Sequence, residues 1–252
     1  MVYFIGAGPG AVDLITVRGC ELLKKADVVI YAGSLVNPEL LNYTKESCKI
    51  HNSASMTLEE VIDVFVKEDR KDKVMVRLHT GDPSIYGAIK EQMDLLDKHN
   101  ISYSVVPGVS SFCGAAASLN VEFTLPGVSQ SVILSRMEGR TPVPELEQIQ
   151  KLASHKTSMV LFLTSSLIDK LTRELIEGGY TENTPAAIVY KATWPDEKII
   201  RTTVGNLYKS AKENNITKTA LIFIGDFLSS DYERSKLYDK YFTHQFRKAV
   251  EQ

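Results

Sequence analysis

At 252 residues the chain has room for one large domain or two small ones, each with a real core. A formal net charge of −2 excludes the basic balance that bulk nucleic-acid binding calls for. No apolar run approaches the ~20 residues that span a bilayer, and no basic stretch precedes a long apolar one at the start, so neither a membrane segment nor a signal peptide is expected. Cys20, Cys48 and Cys113 are odd in number, far apart and form no C-x-x-C pair. They are expected to be reduced core thiols of a cytoplasmic protein.

In chain order, residues 2–5 read as a strand and 13–24 as a helix with Leu14, Val17 and Leu22 inward. Residues 28–31 read as a second strand. Thr57-Leu58-Glu59-Glu60 is a capping box, and Leu58, Val61, Ile62 and Phe65 continue it as the apolar stripe of a helix. A strand at 74–78 leads into the turn Thr80-Gly81-Asp82-Pro83. There Asp82 reads as a helix N-cap with Pro83 at the first helical position, before a helix carrying Ile85, Ile89, Met93 and Leu96 on one face. A strand at 103–106 follows. Strands alternating with helices predict an α/β unit, a mostly parallel sheet with helices on both faces.

The turn Pro107-Gly108 and the small residues of 110–118 suggest a junction, with an N-terminal α/β domain over 1–115 and a C-terminal α/β domain over 116–252. In the second half strands are expected at 132–134, 159–163, 186–189, 199–204 and 220–224, and helices near 145–154, 166–177 and 206–214. Residues 191–198 leave no room for a helix between two of these strands, which predicts an antiparallel pair and a mixed second sheet. A basic-aromatic tail begins at Asp231.

The opening turn, Gly6-Ala7-Gly8-Pro9-Gly10, has the look of a dinucleotide-binding loop. Ala11 meets that spacing only loosely, Pro9 removes a backbone donor, and Tyr31-Ala32-Gly33-Ser34 stands where an acidic residue is required. Three readings stay open on these residues: a dinucleotide site, a structural turn, and a ligand without phosphate that needs close backbone approach. The segment from Arg77 to Gly87 and the turn Pro107-Gly108-Val109-Ser110-Ser111 also fall at strand ends, and the three turns could line one crevice.

GAGPG…DLIT, HTGDPSIYGA, PGVSS, RMEGRTPVPE, YKATWPDEKI and RSKLYDKYFTHQFRK together resemble the tetrapyrrole methylases of corrin biosynthesis, over essentially the whole chain. The resemblance implies two α/β domains with the cofactor cleft between them. It implies S-adenosylmethionine as cofactor, S-adenosylhomocysteine as product, a homodimer and a tetrapyrrole substrate. The segments at 136–145 and 190–199 imply methylation at C11 of precorrin-4 or its cobalt form; the alternative is another ring position. It assigns cofactor contacts to Pro9, Thr80, Gly81, Asp82, Ile85, Ser110, Ser111, Leu163, Ala192, Thr219 and Ala220.

A macrocycle fringed with carboxylates calls for Arg and Lys, and Arg136, Arg140, Lys191 and Arg201 are the candidates. Glu138 and His79 are the titratable groups near these loops and the candidate bases. No histidines have metal-ligand spacing, so no protein-bound metal is expected, and any cobalt arrives inside the substrate. The competing classes are a nicotinamide-dependent oxidoreductase, a methylase of RNA or protein, and a non-catalytic S-adenosylmethionine-binding module.

Overall fold

Apolar runs too short for helices become strands covered on both faces. In this computed structural model, which describes residues 1–229 and 232–250, they form two five-stranded sheets. The start of the tail, at Asp231, lies outside the described residues. The chain divides into two compact units, Met1–Ser118 with Lys191–Glu197, and Leu119–Tyr190 with the residues from Lys198 on.

The first unit holds β1 (Val2–Gly6), β2 (Val28–Tyr31), β3 (Lys49–Asn52), β4 (Met75–His79) and β5 (Tyr103–Val106), all parallel, in the order β3-β2-β4-β1-β5. Its helices are α1 (Val17–Lys25), α2 (Leu58–Glu68), α3 (Ile89–Lys98) and α4 (Ser111–Leu119). The chain steps one way from β1 to β3 and back the other way to β5, so right-handed crossovers put helices on both faces. Val2, Phe4, Val28, Ile30 and Met75 pack with Val61, Ile62 and Phe65 of α2 and Leu96 of α3. Ile5, Val29, Val76 and Leu78 pack with Leu23 of α1 and with Leu40.

The capping box at Thr57 is formed as expected, with both reciprocal bonds present. The helix expected over 13–24 is broken. A 3-10 turn at Val12–Leu14 gives way to extended backbone, and Thr16 caps α1 by accepting from the Gly19 N–H at 3.2 Å. Gly19 and Leu23 therefore face inward, Leu22 is half-buried and Val17 is 82% exposed. The next helix also starts late. Tyr86 and Ala88 take left-handed φ values of 56° and 49°, so Pro83 opens a turn and α3 begins at Ile89. β3 carries no apolar run and was not expected. It is an edge strand, and of its four residues His51 alone is half-buried while the other three are exposed.

The second unit holds β6 (Val132–Arg136), β7 (Ser158–Phe162), β8 (Pro185–Tyr190), β9 (Lys198–Thr203) and β10 (Ala220–Ile224), in the order β6-β7-β10-β8-β9. β6 and β7 are parallel and the other pairs antiparallel, including β8 with β9, so the sheet is mixed as expected. α5 (Ile149–Ala153), α6 (Ile168–Glu177) and α7 (Leu207–Glu213) cover one face through Ile149, Leu171, Leu175 and Leu207. On the other face Phe123 stacks on Phe223 at 6.0 Å and meets Phe227 at 5.1 Å.

All three cysteines are free. They are not core thiols: Cys20 and Cys48 are half-buried and Cys113 is exposed on α4, because the small-residue face of that helix packs through Ala115 and Ala116 instead.

Candidate active site

β4, β1 and β5 are neighbours, so the turns at their carboxyl ends meet. A Cβ on Gly6 would lie 2.5 Å from Gly108 Cα and 2.6 Å from the Gly81 carbonyl oxygen, which leaves glycine as the residue that fits. Gly8 and Gly81 exchange backbone bonds of 3.3 and 2.8 Å. The three glycine turns are thus one packed backbone cluster within the first unit.

Several of the donors a phosphate cradle would use are already engaged. The Ala7 N–H donates to the His79 carbonyl at 2.7 Å, Gly8 and Gly81 bond one another, and Ala11 donates to Thr193 Oγ1 at 3.0 Å. Pro9 has no N–H. A ligand that fits here needs close approach of backbone and carbonyl oxygens rather than free amides, which suits a cationic sulfonium and an adenosine.

Asp82 joins two of the turns. Its Oδ2 accepts from the Gly108 N–H at 2.8 Å, and its Oδ1 accepts from the Ser84 N–H at 2.8 Å and the Ser84 hydroxyl at 2.5 Å. Burial alone would raise its pKa, but the bonds from Ser84 and Gly108 outweigh that and lower it. Asp82 is therefore a clamp between turns and not the helix N-cap read from the sequence, since no helix starts before Ile89. Of the other first-unit residues assigned to the cofactor, Ser110 is buried, Thr80, Ile85 and Ser111 are half-buried, and Gly81 has φ 59°.

His79 ends β4 with its side chain 5% exposed and its Nε2 without a hydrogen-bond partner. Burial, with the Arg77 charge in second place, lowers its pKa to about 3. It is neutral at pH 7 and a weak base, ill matched to proton abstraction. Arg77 itself is 7% exposed, donates to Gln92 Oε1 at 3.1 Å and to the Ile30 carbonyl at 3.2 Å, and is lowered by burial to about 10.

Three second-unit positions assigned to the cofactor cluster at adjacent strand ends. Leu163 follows β7 with φ 52° and is 66% exposed; Thr219 precedes β10 with φ 56°; Ala220 is buried. Left-handed backbone at non-glycine residues is costly and concentrates at ligand sites. Glu138 is half-buried in the loop after β6. In that loop Arg136 donates to the carbonyls of Thr141 at 3.2 Å and Pro142 at 2.7 Å. Arg201 donates to the Leu119 carbonyl at 2.6 Å. Arg140 is exposed and makes no hydrogen bond or ion pair with the described residues.

Ala192 and Lys191 belong to the segment Lys191–Glu197, which packs in the first unit. Lys191 Nζ is 2.6 Å from Asp196 Oδ2 and 5.5 Å from the Trp194 ring centre. Of the residues of this segment that the sequence left without a role, Thr193 and Trp194 hold the first glycine turn, and Glu197 bonds Thr193 and Ser118. The sequence signal was there: Trp194 is the chain's single tryptophan, in one of the two segments that imply methylation at C11.

Residues 1–208 match the family model described as tetrapyrrole (corrin/porphyrin) methylases, so the chain belongs to that family. It is an S-adenosylmethionine-dependent methyltransferase. It is 56% identical to a cobalt-precorrin-4 C(11)-methyltransferase of Methanocaldococcus jannaschii over 98% of this chain and 96% of the relative. It is 42% identical to a precorrin-4 C(11)-methyltransferase of a Sinorhizobium species over 98% of each. An X-ray structure of a cobalamin biosynthetic enzyme, cobalt precorrin-4 methyltransferase, superposes with a TM-score of 0.88 at 50% identity, covering 90% of this chain and 95% of the other.

Proposed function

We propose that the chain transfers the methyl group of S-adenosylmethionine to C11 of cobalt-precorrin-4, giving cobalt-precorrin-5 and S-adenosylhomocysteine. The observation that carries the substrate is similarity along 98% of the chain to a relative bearing that name, above the similarity to the relative named for the metal-free form.

The cofactor supplies an electrophilic methyl on a sulfonium, and the attacking ring carbon needs alignment more than acid–base help. A well-oriented pair gains up to roughly 7–11 kcal/mol. Pro9, Thr80, Gly81, Asp82, Ile85, Ser110 and Ser111 of the first unit, with Ala192 of its inserted segment, hold the cofactor. Leu163, Thr219 and Ala220 are its contacts in the second. Arg140 is the strongest candidate for a substrate carboxylate, because the other three candidates already serve carbonyls or an aspartate. Glu138 remains the candidate for accepting the proton lost after methylation, since the His79 pKa is too low.

The exposed aromatic tail, with Tyr238 at 83% and Phe246 at 88% exposure, supports a homodimer, and three free cysteines support a cytoplasmic setting. An anaerobic assay offering cobalt-precorrin-4 and precorrin-4 in parallel tests the reaction by S-adenosylhomocysteine release and product mass. Turnover of the cobalt form by a gain of one methyl at C11 is expected. Methylation at another ring position, or turnover confined to the metal-free form, overturns the assignment.

A further inference from the structure

The first glycine turn is held from outside by a segment far along the chain. The Trp194 indole N–H donates to the Pro9 carbonyl at 3.1 Å, and the Thr193 hydroxyl accepts from the Ala11 N–H at 3.0 Å. Between those two bonds sits Gly10, where an added Cβ would fall 2.1 Å from Trp194 Cδ1 and 2.9 Å from the Ala192 carbonyl oxygen. The Gly10 carbonyl accepts from the Asn37 side-chain amide at 2.9 Å. Three consecutive residues of the turn therefore have a polar backbone group bound to a distant side chain.

The segment is tied down in turn. The Glu197 Oε2 accepts from the Thr193 N–H at 2.5 Å and from the Ser118 hydroxyl of α4 at 2.7 Å. α4 starts at Ser111, in the third glycine turn, and its Gly114 lies under Pro9, where a Cβ would come 2.8 Å from the proline ring. Glu197 thus connects the helix that leaves one turn to Thr193, whose hydroxyl holds another.

We propose that Trp194 and Glu197 are positioning residues for the cofactor: they hold Pro9 and its neighbours in the shape that binds S-adenosylmethionine, without touching the reacting atoms. The proposal rests on the reading of the Pro9 turn as a cofactor contact. A flexible turn would have to be ordered at each binding event, and that ordering would be subtracted from affinity. The pre-set turn avoids it. The effect belongs to the cofactor alone, so it separates the two substrates kinetically.

The test is calorimetric titration of S-adenosylhomocysteine into the full chain and into Trp194→Phe, Glu197→Gln and Asp82→Asn, with steady-state kinetics on both substrates. Trp194→Phe keeps an aromatic ring and deletes the donor. Glu197→Gln keeps the shape and weakens the tie. Each is expected to raise the S-adenosylhomocysteine Kd and the S-adenosylmethionine KM about five- to tenfold. The macrocycle KM should stay within about twofold and the melting temperature within about 2 °C. Because the wild type has one tryptophan, its emission should also change on titration. Wild-type affinity in both position variants, with affinity lost in Asp82→Asn, overturns the positioning role and leaves the cofactor turns in place. Wild-type affinity in all three overturns the reading of the turns. Equal rises in KM for both substrates would mark a general structural role and also overturn the proposal.

Discussion

Asp82 shows how a single side chain can tie two turns together. Its carboxylate gathers a backbone N–H from the neighbouring turn and two donors from Ser84. Asp82→Asn keeps the size and removes the charge, so it should lower stability at neutral pH by about 1–2 kcal/mol, as for weakened bonds to a charged acceptor. The folded pKa is lowered, so the contribution of the wild-type carboxylate is complete above the ordinary value of about 3.9. It is lost as pH falls through the lowered value. Thermal melts of both proteins across pH should therefore diverge near neutrality and converge in strong acid. A constant gap at every pH would show that the charge is not what Asp82 contributes.

At the scale of elements, the strands that lie inside a sheet were legible because burial on two faces demands uninterrupted apolar residues. Val28-Val29-Ile30 can be little else. β3 was not legible, since an edge strand such as Lys49–Asn52 needs no apolar run. The turns were legible as turns, and their meeting as a possibility, because parallel strands send their carboxyl ends to one side. The phase of α1 was misread because Thr16 competes with Asp13 as a starting residue and wins through its bond to Gly19. That difference can be measured. Leu23→Ala should cost about 2–5 kcal/mol as a fully buried truncation. Val17→Ala should stay within about 0.5 kcal/mol, since Val17 lies in solvent. Denaturant melts giving the reverse order would restore the helix expected from 13 to 24. Trp194 was beyond local reading altogether, because its partner Pro9 is 185 residues away.

For the whole molecule, the paired reading of two sheets, one parallel and one mixed, follows from connection lengths alone, and the family membership fits it. The residues that sequence could only nominate were the basic ones. Arg136, Lys191 and Arg201 looked alike as charges near strand ends, yet each has taken up a bond to its own chain, leaving Arg140 distinct. The exposed aromatic groups from Tyr232 to Phe246 give the assembly its own test. Sedimentation at micromolar concentration should return about twice the 28.0 kDa of one chain. Tyr238→Asp with Phe246→Asp should shift it toward one. A wild-type mass of one chain would rule out the dimer.

The insertion of Lys191–Glu197 into the first unit also sets a schedule for synthesis. A ribosome adds roughly 5–20 residues per second, so Trp194 is made roughly ten to forty seconds after Pro9. Through that interval the strands and helices of residues 1–118 can assemble, while the Pro9 carbonyl and the Ala11 amide must make do with water. The nascent first unit is thus born without the bonds that hold its first glycine turn, and the growing chain gains them only once Thr193 and Trp194 are made.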